Sequence, residues 1–195
     1  LKDEFDFTVL SISTHTSHKT GYMNGVNQVV FKSNLGKTGW NTLYYYLRSL
    51  FFVLCKKYDL IFLHHAESGF ITPFLKIKYK VIVTFHGIYG NDDPKFSSFQ
   101  NKFFRFSEKC NIKFANEVIS VSKPDQQYIL KKYNRDVQYI PNGITPSQFK
   151  FKKNKNDSIL FAAGRIYHLK GLHLLIDAAR KLNLEREIKI AGDMD

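Results

Sequence analysis

Short apolar runs bounded by turn residues alternate along this chain with longer segments of helical period, and that alternation limits the available folds more than any other feature. A strand followed by a helix and then by another strand of the same sheet makes a parallel crossover. The expected class is therefore α/β, with a mostly parallel sheet and flanking helices. The clearest strands are Phe7 to Ile12, Asn27 to Phe31, Asp59 to His64, Lys80 to Phe85, Glu117 to Val121, Val137 to Ile140, Ile159 to Ala163 and Glu187 to Ile190. Helical patterns cover Trp40 to Lys56, Phe99 to Phe114, Pro124 to Tyr133 and Gly171 to Leu182. Ser122-Lys123-Pro124-Asp125 reads as a helix start, with a capping hydroxyl, a proline in the first turn and a carboxylate three residues on.

With 195 residues, 44% hydrophobic and 15% aromatic, the chain has ample apolar content for a packed core. A disordered tail and a collagen-like fibre are excluded, and the length suits one domain plus part of another. Between Pro141 and Asp157 the periodicity lapses into Asn142-Gly143, Pro146 and the lysines Lys150, Lys152, Lys153 and Lys155, which reads as a linker. The first domain is predicted over residues 1–148. Residues 149–195 are predicted to be the linker and the opening strand, helix and strand of a second domain. One such unit cannot bury both faces of its sheet, so it is not expected to fold alone, and the polypeptide is expected to be part of a longer one.

Cys55 and Cys110 are too few for a disulfide scaffold and are expected as buried thiols in a reducing compartment. The mixed acidic start, Leu1 to Phe7, lacks the basic-then-apolar order of a signal peptide. The apolar run Leu43 to Cys55 is interrupted by Arg48 and falls short of the roughly 20 residues that cross a bilayer, so it predicts a buried or interfacial helix. A net charge of +12 and a pI near 9.6 favour polyanionic partners. No helix-turn-helix, zinc-finger or RNP-type signature accompanies that charge, so nucleic acid is not expected. The segment Lys95 to Phe106 repeats aromatics and cations at near-helical spacing. It fits an interfacial helix on an anionic membrane, or equally a helix that buries Phe99, Phe103 and Phe106. The histidine pairs His15 and His18, His64 and His65, and His168 and His173 lack a cysteine or carboxylate at ligand spacing, so no metal site is expected.

The strongest chemical constellation is Ala163-Gly164-Arg165-Ile166-Tyr167-His168-Leu169-Lys170-Gly171. A glycine leaving a buried strand lets backbone approach a ligand, and a helix opening near Lys170 or Gly171 presents unpaired N–H groups and a positive dipole. Arg165 and Lys170 add cations at the same end. A diphosphate site is one reading, and two solvated cations on an ordinary turn is the other. The spacing is neither that of a P-loop nor that of a dinucleotide fingerprint.

Ile140-Pro141-Asn142-Gly143-Ile144, Ile159 to Arg165, Lys170 to Ala179 and Ile188 to Asp193 follow one another in an order that resembles the group 1 (family 4) retaining glycosyltransferases. Those are two-domain enzymes of the GT-B fold, with Rossmann-like halves. Upstream, Val81 to Gly87 resembles the acceptor-domain strand that ends in His-Gly, and Phe106 to Lys109 and Ala115 to Ser122 resemble the helix and strand after it. The stretch from Asp59 to Ser122 is most similar to rhamnosyltransferase-like members, with Ile88-Tyr89-Gly90-Asn91 where acidic and tryptophan residues are usual. The family's first glycine-rich loop would lie before Leu1 and its two-glutamate motif beyond Asp195.

The resemblance implies an acceptor-side Rossmann-like domain over residues 1–148 and the start of a donor-binding domain after it. It implies transfer of a hexosyl unit, with retention, from a nucleotide sugar to a growing surface polysaccharide or lipid-linked glycan. The setting would be cytoplasmic, or peripheral on the inner face of the cell membrane. Arg165 and Lys170 would hold the diphosphate with Gly164, Gly171, Gly192 and Asp193 beside them, His86 and Gly87 would stand on the acceptor side, and no metal or other cofactor would be needed. The fragment alone would be inactive. The alternative from another class is a non-catalytic membrane- or partner-binding module, and an epimerase of the same architecture is a third reading.

Overall fold

The computed structural model describes residues 4–36, 38–88, 96–143, 158–166, 170–183 and 185–194, without the side chains of Ala162, Ala163, Arg165 and Met194. Tyr89, Gly90, Asn91, Lys95, the linker residues 144–157, and Tyr167, His168 and Leu169 lie outside the described residues. The chain divides into two units, Leu1–Gly143 and Ile144–Asp195.

In the first unit, β1 (Phe7–Ile12) pairs in parallel with β3 (Val26–Phe31), and β2 (Gly21–Met23) pairs with β3 antiparallel. Asn24 and Gly25 turn the β2–β3 hairpin with φ of 55° and 83°, the left-handed pair that matches strand twist. Helix α1 (Gly39–Leu54) follows, capped by the Thr38 hydroxyl, which accepts from the Asn41 N–H. Then come β4 (Leu60–His64), a 3-10 segment (Ala66–Ile71), α2 (Thr72–Lys76), β5 (Lys80–Phe85), α3 (Ser98–Phe114), β6 (Glu117–Ser120), α4 (Lys123–Tyr133) and β7 (Gln138–Tyr139). Strands β4, β5, β6 and β7 form one parallel sheet in that order. A parallel sheet flanked by helices is the Rossmann-like α/β class that the alternation predicts. Val81, Val83 and Phe85 of β5 sit at the centre of the core with Val118, Ile71, Leu75, Ile112 and Ile129. A strand covered on both faces has few polar positions, hence its nearly unbroken apolar run.

Helix α3 is held against its neighbours by two close fits. At Gly69 an added Cβ would lie 1.7 Å from the Ser107 carbonyl oxygen, so only glycine lets the 3-10 segment touch α3. Glu108, 1% exposed, takes hydrogen bonds from the Tyr128 hydroxyl at 3.1 Å, the Tyr133 hydroxyl at 2.6 Å and Lys132 Nζ at 3.2 Å, which ties α3 to α4. A buried carboxylate is tolerable because its partners replace lost water. Cys110 is buried on the same helix, whereas Cys55, against expectation, is exposed, since it caps α1 where the chain turns outward.

In the second unit, β8 (Ile159–Ile166) and β9 (Ile188–Met194) pair in parallel, with α5 (Leu172–Lys181) between them in sequence. None of its described residues is buried. Both strands run past their expected ends. Gly164 does not leave β8; it lies within it at an irregularity between Ala162 and Gly164, with φ of 66°. Gly192 and Asp193 likewise lie inside β9, opposite Gly164 and Arg165. The paired glycines explain the extension: a Cβ at Gly192 would meet the Gly164 carbonyl oxygen at 2.1 Å, so their absence of side chains allows pairing to continue through the bulge.

Replacing Glu108 by Ala should lower unfolding free energy by about 2–4 kcal/mol in urea titration, with Glu108→Gln costing less because it keeps an acceptor. Burial first, and then the Glu108 carboxylate, push the Tyr133 hydroxyl up to about 12. Between its unfolded value of about 10 and that value the folded chain binds more protons, so stability should fall as pH rises through this window.

Candidate functional site

The carboxyl ends of parallel strands in an open α/β sheet are where ligands bind, because the chain leaves each strand there in a loop. In β4 and β5 the register sets His64 opposite Thr84, and both chains leave the sheet just beyond. His64 Nδ1 and His86 Nε2 lie 3.0 Å apart, and their rings stack with centroids 5.3 Å apart and planes 26° from parallel. The His65 ring lies 5.1 Å from that of His86. Three exposed imidazoles therefore meet at one edge of the sheet. Gly87 follows His86 with φ of 147°, a conformation that a side chain would strain.

His65 is held in a costly backbone conformation. Its φ of 69° and ψ of 159° lie in a region almost confined to glycine, worth on the order of 1–3 kcal/mol. Three contacts impose it. The His65 N–H donates to the Thr84 carbonyl at 3.0 Å, and the His65 carbonyl accepts from the Ser68 hydroxyl at 2.8 Å and from Asn111 Nδ2 at 3.4 Å. Asn111, fully buried on α3, also donates to the Ala66 carbonyl at 3.3 Å and accepts from the Thr72 hydroxyl at 2.6 Å. One amide thus fixes the turn that follows β4. Sequence reading overlooked Asn111 because a lone asparagine in a helix carries no pattern. It also set His64 and His65 aside as a metal pair, although their place at the end of a strand, parallel to the strand that His86 follows, was a usable signal.

Burial lowers the pKa of His64, and the charges His86 and His65 would carry lower it further; burial and then His65 lower that of His86. The bond between the two rings needs one N–H and one lone pair, so it survives one added proton but not two. Near neutrality the pair is uncharged, and its outward nitrogens can donate to or accept from a hydroxyl. Among the described residues no group of three histidine, cysteine, aspartate or glutamate side chains is arranged to hold a metal ion.

In the second unit, Gly171 precedes α5 with φ of 74°, and exposed Lys170 stands immediately before it, at the amino end of the helix. The Arg165 backbone pairs with that of Asp193, while its side chain lies outside what the structure describes. The structure thus brings His86 together with His64 and His65 in one unit. In the other it sets Gly164 and Arg165 opposite Gly192 and Asp193.

The sequence profile of Glycosyltransferase Family 4 matches residues 2–148, and the chain belongs to that family. Membership implies a sugar donor and a sugar acceptor. The matched span contains all three clustered histidines, Gly87 and Asn111. No curated protein matches the sequence.

His65→Phe should raise the titration midpoints of both His64 and His86, read from their imidazole NMR signals, because it removes a positive neighbour and keeps a ring. In the wild type both groups should titrate below the ordinary 6.5, so the unfolded chain binds more protons there and stability should fall as pH drops below that value. Asn111→Ala should cost about 2–3 kcal/mol of stability, measured by urea unfolding.

Proposed function

We propose that the chain serves in transferring a hexosyl unit from a nucleotide sugar, with retention of anomeric configuration, to a growing surface polysaccharide or lipid-linked glycan at the cytoplasmic face of the membrane. The observation that carries this reading is the family match over residues 2–148 with the paired histidines at the carboxyl edge of its parallel sheet. Cleavage of the anomeric C–O bond leaves negative charge on the departing diphosphate and positive character on the sugar. Arg165 and Lys170 would meet the first with fixed cations, the most effective form of barrier lowering, without a metal ion. Gly164, Gly171, Gly192 and Asp193 would complete the donor contacts. His86, kept neutral by burial and His65 and oriented by His64, would bond a sugar hydroxyl without repelling the developing positive charge.

A second reading, a non-catalytic binding module of the same fold, is favoured by the lack of buried residues among the described residues of the second unit. Calorimetry with nucleotide sugars separates the two, since the module would release no heat.

In the intact enzyme, Arg165→Ala and Lys170→Ala should each lower kcat by about 10²–10³ while leaving the unfolding midpoint unchanged. Unchanged turnover with nucleotide sugar would remove the diphosphate assignment.

A further inference from the structure

Helix α3 has two unlike faces. Asn101, Ser107, Glu108, Cys110, Asn111 and Ile112 are buried, and Phe103 and Phe104 are half-buried in a ring cluster with Phe70 and Phe96. The opposite face carries Phe99, Lys102, Phe106, Lys109 and Lys113, all exposed and spaced three or four residues apart. At 100° per residue they fall within an arc of about 80°, a single stripe along the helix. Phe99 is 79% and Phe106 57% exposed, so only Phe103 of the three aromatics that the core reading would bury is even half-covered. The one carboxylate of α3, Glu108, points away into the protein, which leaves the stripe without acidic residues.

We propose that this stripe is a docking surface for an anionic lipid bilayer, with Phe99 and Phe106 entering the acyl boundary and Lys102, Lys109 and Lys113 meeting the headgroups. The chemistry selects that occupant. Phenylalanine carries no polar group that hydrocarbon would leave unsatisfied, and a stripe that pairs it with lysine and has no acidic residue matches an apolar layer beneath anionic headgroups. Lysine lets its stem lie along apolar surface while its ammonium reaches phosphate. The chain's net charge of +12 adds attraction to a negative surface. At the amino end of the stripe, a Cβ at Gly39 would lie 3.7 Å from Gln100 Nε2, so the start of α1 abuts the start of α3. Trp40, 75% exposed and the chain's single tryptophan, flanks that contact and would reach the interface too.

This surface deepens the lipid-linked-acceptor reading and rests on it for location, but docking is measured without turnover. The whole chain is sedimented with vesicles of phosphatidylcholine alone and of phosphatidylcholine with phosphatidylglycerol, while Trp40 emission is followed. Retention on the anionic vesicles only, weakened by salt, with a blue shift of Trp40, is expected. Lys102→Gln, Lys109→Gln and Lys113→Gln together should weaken binding roughly a hundredfold, at about fivefold per lysine. Phe99→Ala with Phe106→Ala should weaken it at least about tenfold and reduce the blue shift. These positions are exposed, so circular dichroism should show the variants folded. Equal binding to both vesicles, binding indifferent to either set of variants, or no binding alongside tight retention of a single-stranded RNA would overturn the proposal. Vesicle binding by an enzyme that transfers sugar only to soluble acceptors would leave the docking surface standing and remove the lipid-linked acceptor.

Discussion

The ladder between β4 and β5 fixes the site. Parallel pairing in that register sets His64 beside Thr84, and the next residues of both strands must then emerge at the same edge. A shift by one residue would turn His64 to the opposite face of the sheet and break its 3.0 Å approach to His86. The register is itself secured by burial of Val81, Val83 and Phe85, which are fully enclosed. Hydrophobic patterning in β5 therefore determines where the histidines can meet.

Helix α3 is the second determinant, and each of its faces has a separate task. Asn111 clamps the strained turn at His65, and Glu108 ties the helix to α4, so the inward face sets the geometry of the histidine edge. The outward face spends its exposure on phenylalanine and lysine, a costly choice in water that a membrane surface would reward. Helix α3 is thus pinned on one side while it exposes phenylalanine and lysine on the other. Backbone strain of on the order of 1–3 kcal/mol at His65 persists because three hydrogen bonds leave the turn no alternative.

Much of this was legible in the sequence. The strands Phe7–Ile12 and Lys80–Phe85 fall where the apolar runs place them, and Ser122 caps α4 as its spacing indicates. The β2 strand was missed although Asn24-Gly25 is a strong hairpin signal, because the strand before it is three exposed residues with no apolar alternation. The 3-10 segment and α2 carry too few residues to show a period. A glycine usually stops a strand, which is why the sequence reads Gly164 as leaving β8, but Gly164 and Gly192 opposite each other permit both strands to continue. The histidine cluster is legible only across two strands: His64 and His86 are far apart in sequence and meet through the β4–β5 register, so the signal lies in the placing of both strand ends and in neither alone.

The central claim is that the neutral histidine edge of the first unit faces the sugar during transfer. A crystal structure of the intact enzyme with an unhydrolysable nucleotide sugar tests it most directly. The account predicts a sugar hydroxyl within hydrogen-bond distance of the His86 imidazole, with His64 still bonded to its other nitrogen. A donor bound with its sugar ring away from the carboxyl ends of β4 and β5, or His86 turned from His64 in the complex, would contradict it.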